Sequence, residues 1–153
     1  MNRQRARLHP FLHAASNLEK HLEVLFTDSS IRHRQALVLN ALRVIGASSQ
    51  RYLAKHFDVS AGTMSSMISR LEALGYVQRS NDPSDRRIEI ISNTAAGLAA
   101  LESSEKYWSD GDDMIESILG PEDAEKFFAL ADKLSKGLGG GPPKPEKTTR
   151  KQS

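Results

Sequence analysis

Cysteine is absent from this chain of 153 residues, and its absence excludes disulfide scaffolds, cysteine-ligated zinc and thiol redox sensing. No apolar run approaches the ~20 residues that span a bilayer. The opening MNRQRARLHP also lacks the apolar stretch of a secretory signal. A cytoplasmic protein with no membrane partner is the expectation. Catalytic signatures are missing as well: there is no G-x-S-x-G elbow, and Pro143 precedes Lys144 where a phosphate-binding loop needs glycine. His9 and His13 stand four apart in HPFLH, without the glutamate of a zinc protease and without a third ligand. The sequence therefore argues against an enzyme, and no catalytic residue, metal or cofactor is expected.

What is present is an uneven charge. The net charge is only +2, yet residues 31–93 hold nine Lys or Arg against five Asp or Glu, while residues 94–136 hold four against ten. A basic segment followed by an acidic one suits a protein that meets phosphate through one region.

Residues 49–91, SQRYLAKHFDVSAGTMSSMISRLEALGYVQRSNDPSDRRIEII, give that basic region a shape. Leu53, Ala54, Phe57, Val59, Met64 and Met67 fall where two short helices joined by a tight turn bury against each other. Asp58 occupies the turn, where a left-handed backbone is tolerated by Asp better than by most residues. Ser60 reads as the N-cap of the second helix, which runs over about 61–74 and ends at Gly75. With Met64, Met67, Ile68 and Leu71 inward, the outer face carries Ala61, Gly62, Thr63, Ser65, Ser66, Ser69 and Arg70. Small hydroxyl side chains let a helix approach base edges closely. Strands over 76–80 and 88–92 enclose the turn-forming Asp82, Pro83 and Ser84. Arg86 and Arg87 then stand near the tip of a basic wing, suited to a narrow minor groove. Asp85 is expected to orient one of them by a charge-assisted hydrogen bond. The pattern predicts a winged helix-turn-helix, with Ser60, the outer face, Asp85, Arg86 and Arg87 as the surface that contacts double-stranded DNA.

The helix-turn-helix, the helix end Leu71, Leu74, Gly75, the strand with Val77 and Arg79, and the wing D-P-S-D-R-R together resemble the MarR family of bacterial transcriptional regulators. The resemblance covers roughly residues 8–138, and the wing is its most specific part. It implies a homodimer with two DNA-binding lobes, acting on an operator and often relieved by a small aromatic or lipophilic effector. Members often carry a Thr-Arg pair where this chain has Ser65 and Ser66. That departure shifts base contacts toward Thr63, Ser66, Arg70 and the wing. A winged helix serving only as a protein-interaction module stays open as the alternative.

The fold class is mainly α with a small β-hairpin wing, divided into a dimerisation helix (1–30), the DNA-binding lobe (31–93), C-terminal dimerisation helices (94–138) and a disordered basic tail (139–153). Leu8, Phe11, Ala15, Leu18, Leu22 and Leu25 form a heptad seam that calls for a partner helix. Ala124, Phe127, Phe128, Leu130, Ala131, Leu134 and Leu138 make the last helix apolar on one side. A second copy related by a two-fold axis satisfies both. After the wing, Leu98, Leu101, Glu105, Trp108, Asp112, Ile115 and Leu119 follow a heptad stripe interrupted by two carboxylates. A cleft lined by Glu105, Trp108 and Asp112, with His13 and His33 as further lining, is the candidate effector site; the alternative is a helix that emerges into solvent in mid-course.

Overall fold

The computed structural model describes residues 7–146. Six helices surround a small sheet in the order α1 (Leu8–Leu25), a 3-10 turn (Phe26–Asp28), α2 (His33–Ile45), β1 (Ser48–Ser49), α3 (Gln50–His56), α4 (Ala61–Ala73), β2 (Val77–Asn81), β3 (Glu89–Asn93), α5 (Ala95–Leu119) and α6 (Pro121–Gly137). The sheet is antiparallel in the order β1-β3-β2. Both hairpin strands begin one residue later than expected, and Val77 pairs with Asn93. β1 was not foreseen. Its two serines lie opposite Ile91 and Ile90, a pairing too short to leave a periodic trace.

Local chemistry sets the helix boundaries. Ser49 Oγ accepts from Tyr52 N at 3.2 Å, Ser60 Oγ from Thr63 N at 3.0 Å and Thr94 Oγ1 from Gly97 N at 3.0 Å, so three helices start on hydroxyl caps. Asp58 takes φ +50° in the turn between α3 and α4. Gly75, at φ +75°, ends α4 while Tyr76 N donates back to Leu71 O at 2.9 Å, closing the last carbonyls of the helix.

The core lies under the winged lobe. Leu39, Leu42, Leu53, Met64, Ile68, Leu71, Val77 and Ile91 are buried together with Phe26 and Leu101. On α4, Met64, Ile68 and Leu71 are fully inside while Met67 is half-buried.

α5 is rotated from its expected phase. Its packed face is Gly97, Ala100, Leu101, Ser104 and Gly111, whereas Leu98, Glu105 and Asp112 are exposed. The reason is close approach: a Cβ added at Gly97 meets Tyr76 O at 2.0 Å, and one at Gly111 meets Leu22 Cδ2 at 3.2 Å. At Gly97 main chain excludes any side chain, and at Gly111 a Cβ crowds the Leu22 side chain. The carboxylates of Glu105 and Asp112 thus sit in solvent rather than in an apolar stripe.

α1 has no buried residue, and Leu8, Phe11, Leu12 and Val24 are exposed together with Ile118, Leu130, Leu134 and Leu138. Beyond α6, residues 140–146 form neither helix nor strand. This stretch, expected to be disordered, makes defined contacts: the Glu146 carboxylate accepts from Ser49 N at 3.0 Å and from Ser49 Oγ at 2.8 Å, and Tyr52 donates its hydroxyl to the carbonyl of Lys144. The remainder of the expected tail, 147–153, lies outside the described residues, as do Arg3 and Arg5 at the other end.

Gly97→Ala is expected to lower unfolding stability by about 1 to 3 kcal/mol, because the clash is with main chain that cannot swing away. Gly62→Ala, where the nearest atom is Ser60 Oγ at 4.0 Å, should be neutral or stabilising by up to about 1 kcal/mol. Urea denaturation of the two variants checks the contrast.

Candidate nucleic-acid interface

α4 presents the face that its sequence pattern required. Ser60, Ala61, Gly62, Thr63, Ser66, Ser69 and Arg70 are exposed and Ser65 is half-buried. The cap is doubled: Ser60 Oγ also donates to Thr63 Oγ1 at 2.9 Å, which holds the first turn in one arrangement. Among the described residues, Arg70 forms no ion pair.

The wing is held differently from expectation. Asp85 Oδ1 accepts from the backbone N–H of Arg87 at 3.0 Å, not from either guanidinium, because a carboxylate two residues upstream reaches the main chain more directly than a side chain pointing away. Asp82 Oδ1 accepts from Ser84 N at 2.7 Å and Ser84 Oγ at 2.6 Å. The Ser84 hydroxyl, and then its amide, hold the Asp82 carboxyl below its ordinary pKa. Two aspartates thus fold the tip. Arg86 and Arg87 are left exposed and, among the described residues, without ion-pair partners.

Arg79 sets where the wing stands. Its Nε donates to Glu72 Oε2 at 3.0 Å, and its NH1 to Glu89 Oε1 at 2.6 Å and to Gln50 Oε1 at 3.5 Å. One side chain on β2 therefore joins the last turns of α4, the start of β3 and the first turn of α3. The hydrogen bonds to Glu89 and Glu72 raise the pKa of the guanidinium. Arg79 was part of the sequence motif, but its bridging role was invisible there because its partners lie 7, 10 and 29 residues away.

Two concavities flank this unit. A cleft of about 880 Å³ opens between α4 and the start of α2, lined by Glu23, Arg32, His33, Arg34, Gln35, Ser60, Gly62, Thr63, Ser66, Met67 and Arg70. Arg32, Arg34 and Gln35 were not anticipated. Nothing in their local sequence marks them, since it is the fold that brings them beside α4. A second cavity of about 260 Å³ lies between α2 and α5, lined by Ala36, Leu37, Asn40, Arg43, Leu101, Ser104, Glu105 and Trp108. Of the expected effector residues, Glu105 and Trp108 line the smaller cavity and His33 the larger cleft. His13 and Asp112 line neither: His13 is exposed on α1, stacked with His9 at 6.4 Å, and Asp112 points away from the packed face of α5. Among the described residues no group of three metal-ligating side chains is assembled, and no helix is long and apolar enough to cross a membrane.

The fold and this surface define a winged helix-turn-helix protein. A model of the MarR family matches residues 29–88. The chain is 40% identical over 76 residues to the HTH-type transcriptional repressor NicR of Pseudomonas putida, a match covering 50% of this chain and 48% of NicR. The chain spans about half the length of the curated relatives it matches. Among solved structures, BpsR of Bordetella bronchiseptica, whose DNA binding is regulated by 6-hydroxynicotinic acid, superposes with a TM-score of 0.75 at 25% identity, over 88% of this chain and 96% of BpsR. A mutant MarR from E. coli complexed with operator DNA gives a TM-score of 0.73 at 22% identity, over 86% of this chain and 95% of that protein. Residues 29–88 are thus similar to the MarR family, and the curated relatives NicR and BilQ are named as a transcriptional repressor and a transcriptional regulator.

His33 gives this lobe a pH dependence. It is buried against Phe26 at 6.2 Å, neither ring nitrogen has a hydrogen-bond partner, and burial, then the nearby Arg34, lowers its pKa from 6.5. The folded state thus favours neutral imidazole. Below pH 6.5 the unfolded chain takes up the proton more readily, so stability falls as the pH drops through that value toward the folded pKa and is unaffected above it. Thermal melts between pH 7.5 and 5.5 should show this acid-side loss, and His33→Leu should reduce it.

Proposed function

We propose that this protein is a cytoplasmic, sequence-specific transcriptional repressor that binds a pseudo-palindromic operator as a homodimer and is released by a small-molecule effector. The observation that carries the reading is the α4 face of small polar side chains with Arg70, set beside a wing whose aspartates bind main chain and leave Arg86 and Arg87 free. A helix of that texture fits the major groove, while guanidiniums on a hairpin reach phosphate and the minor groove. NicR is a repressor, and a MarR with this fold is known on operator DNA.

The apolar residues left exposed on α1, on the end of α5 and on α6 support the dimer. Exposed apolar residues gathered on three helices mark an interaction site, and a two-fold axis lets the same helices of a second copy cover them. Two lobes then read half-sites roughly 10 base pairs apart.

For the effector, the cavity between α2 and α5 is the supported site. Trp108 offers an aromatic wall, and Arg43, 3.7 Å from Glu105, offers a cation that an acidic ligand can take over from an exposed, weakly bound carboxylate. Filling it alters the seating of the DNA-binding lobe on α5. To release DNA, the ligand must prefer the lobe spacing that no longer fits successive grooves.

An operator selected from a random duplex pool should bind with nanomolar affinity. Arg87→Ala is expected to weaken it about tenfold or more and to relax preference at the outer A·T positions, whereas Arg86→Ala weakens all sequences alike. Leu130→Asp should give a monomer in sedimentation and remove operator binding. A wild-type protein that retards no duplex at micromolar concentration and low salt would overturn the reading.

The effector half is tested with 6-hydroxynicotinic acid and related aromatic acids, recording Trp108 fluorescence and operator affinity together. Binding should change the emission and weaken the operator complex. No change in either signal over a panel of such acids would remove the effector and leave the DNA reading standing.

A further inference from the structure

We propose that the cleft between the first turn of α2 and α4 receives a sugar-phosphate strand of the DNA, with Arg32 as a standing phosphate contact and Arg34 exchanging Glu19 for phosphate. The inference rests on the DNA-binding reading and adds a second backbone contact surface to the wing.

Its basis is the width of the groove. An α-helix with side chains is about 10–12 Å across, and the major groove is about 12 Å wide. A helix seated there therefore lies between two phosphate ridges, and whatever flanks it on the protein meets one of them. The wing is one flank. Across a cleft from the outer face of α4 stands the start of α2: Arg32, Arg34 and Gln35 line the same cleft as Ser60, Thr63, Ser66 and Arg70.

The chemistry of the lining suits phosphate. Three guanidiniums face one carboxylate, Glu23, with hydroxyl and amide groups between them. Arg32 and Arg34 are exposed, and among the described residues Arg32 and Arg70 have no ion-pair partner. Arg34 is held by Glu19 of α1 at 2.8 Å, with more than half of each side chain exposed, 54% and 57%. Ion pairs of that exposure contribute little, so a backbone phosphate, one of a closely spaced row of negative charges, displaces the carboxylate. Glu19 and DNA therefore compete for one guanidinium.

The competition gives the test opposite signs. Anisotropy titrations of the full chain against a selected operator and a random duplex are run over a range of salt concentrations, with melting temperatures as the check on folding. Arg32→Ala and Arg34→Ala should each weaken both duplexes by about three- to tenfold and flatten the salt dependence by about one phosphate, while Arg32→Lys keeps most of the affinity. Glu19→Gln should tighten both duplexes by about two- to fivefold, and that gain should vanish in the Glu19→Gln, Arg34→Ala double variant. Should the two arginine variants bind and respond to salt like wild type while Arg86→Ala is weakened, the cleft holds no phosphate although the protein binds DNA. A loss confined to one base pair of the operator would overturn the phosphate assignment in favour of base contact. Failure of the wild-type protein to bind any duplex removes this proposal together with the reading beneath it.

Discussion

The structure turns on the close contact between the start of α5 and the Gly75-Tyr76 turn. Thr94 takes part three times: its N–H donates to Tyr76 O at 3.0 Å, its hydroxyl donates to Gly75 O at 2.6 Å, and the same oxygen accepts from Gly97 N at 3.0 Å. Gly97 lies so near Tyr76 that no side chain fits between them. The end of α4, the first residue before β2, the last residue of β3 and the first turn of α5 thus share one point. Since α5 also carries α1 at Gly111, the position of α4 and the wing relative to the remaining helices follows from this contact. Directional hydrogen bonds joined to a steric limit make a stiff joint.

How much of this was legible follows from the range over which each signal acts. Caps and stops are local, so Ser60 and Gly75 marked the ends of α4 correctly, and Asp58 marked the left-handed turn. The outer face of α4 was legible because its helix period is regular. The face of α5 was misread for a physical reason. Apolar side chains show where a helix can bury, but at the tightest approaches the buried residues are Gly97, Ala100, Ser104 and Gly111, which carry little hydrophobic signal. The cleft beside α4 was unreadable, because Arg32 and Arg34 meet Ser60 and Arg70 only after α2 and α3 have folded the chain back.

Charge is distributed by the same logic of reach. Arg79 lies amid two glutamates and a glutamine and acts as a structural cation, while Asp82 and Asp85 spend their carboxylates on main-chain and serine donors at the tip. Neutralisation of Arg79 on the strand and freedom of Arg86 and Arg87 in the loop follow from which donors the nearby carboxylates reach. A count of charges in the segment does not separate the two. Positions do.

The chain past α6 also bears on the helix-turn-helix. Glu146 reaches the first turn of α3 and accepts from both the amide and the hydroxyl of Ser49, while Lys144 meets Tyr52. The same Ser49 hydroxyl caps Tyr52 N. A negative charge at a helix start is favourable, so the segment acts as a splint across the base of α3, joining the last helix to the first helix of the reading unit. Trimming the chain before residue 144, or attaching bulky sequence there, consequently changes the seating of α3 as well as the length of a terminus.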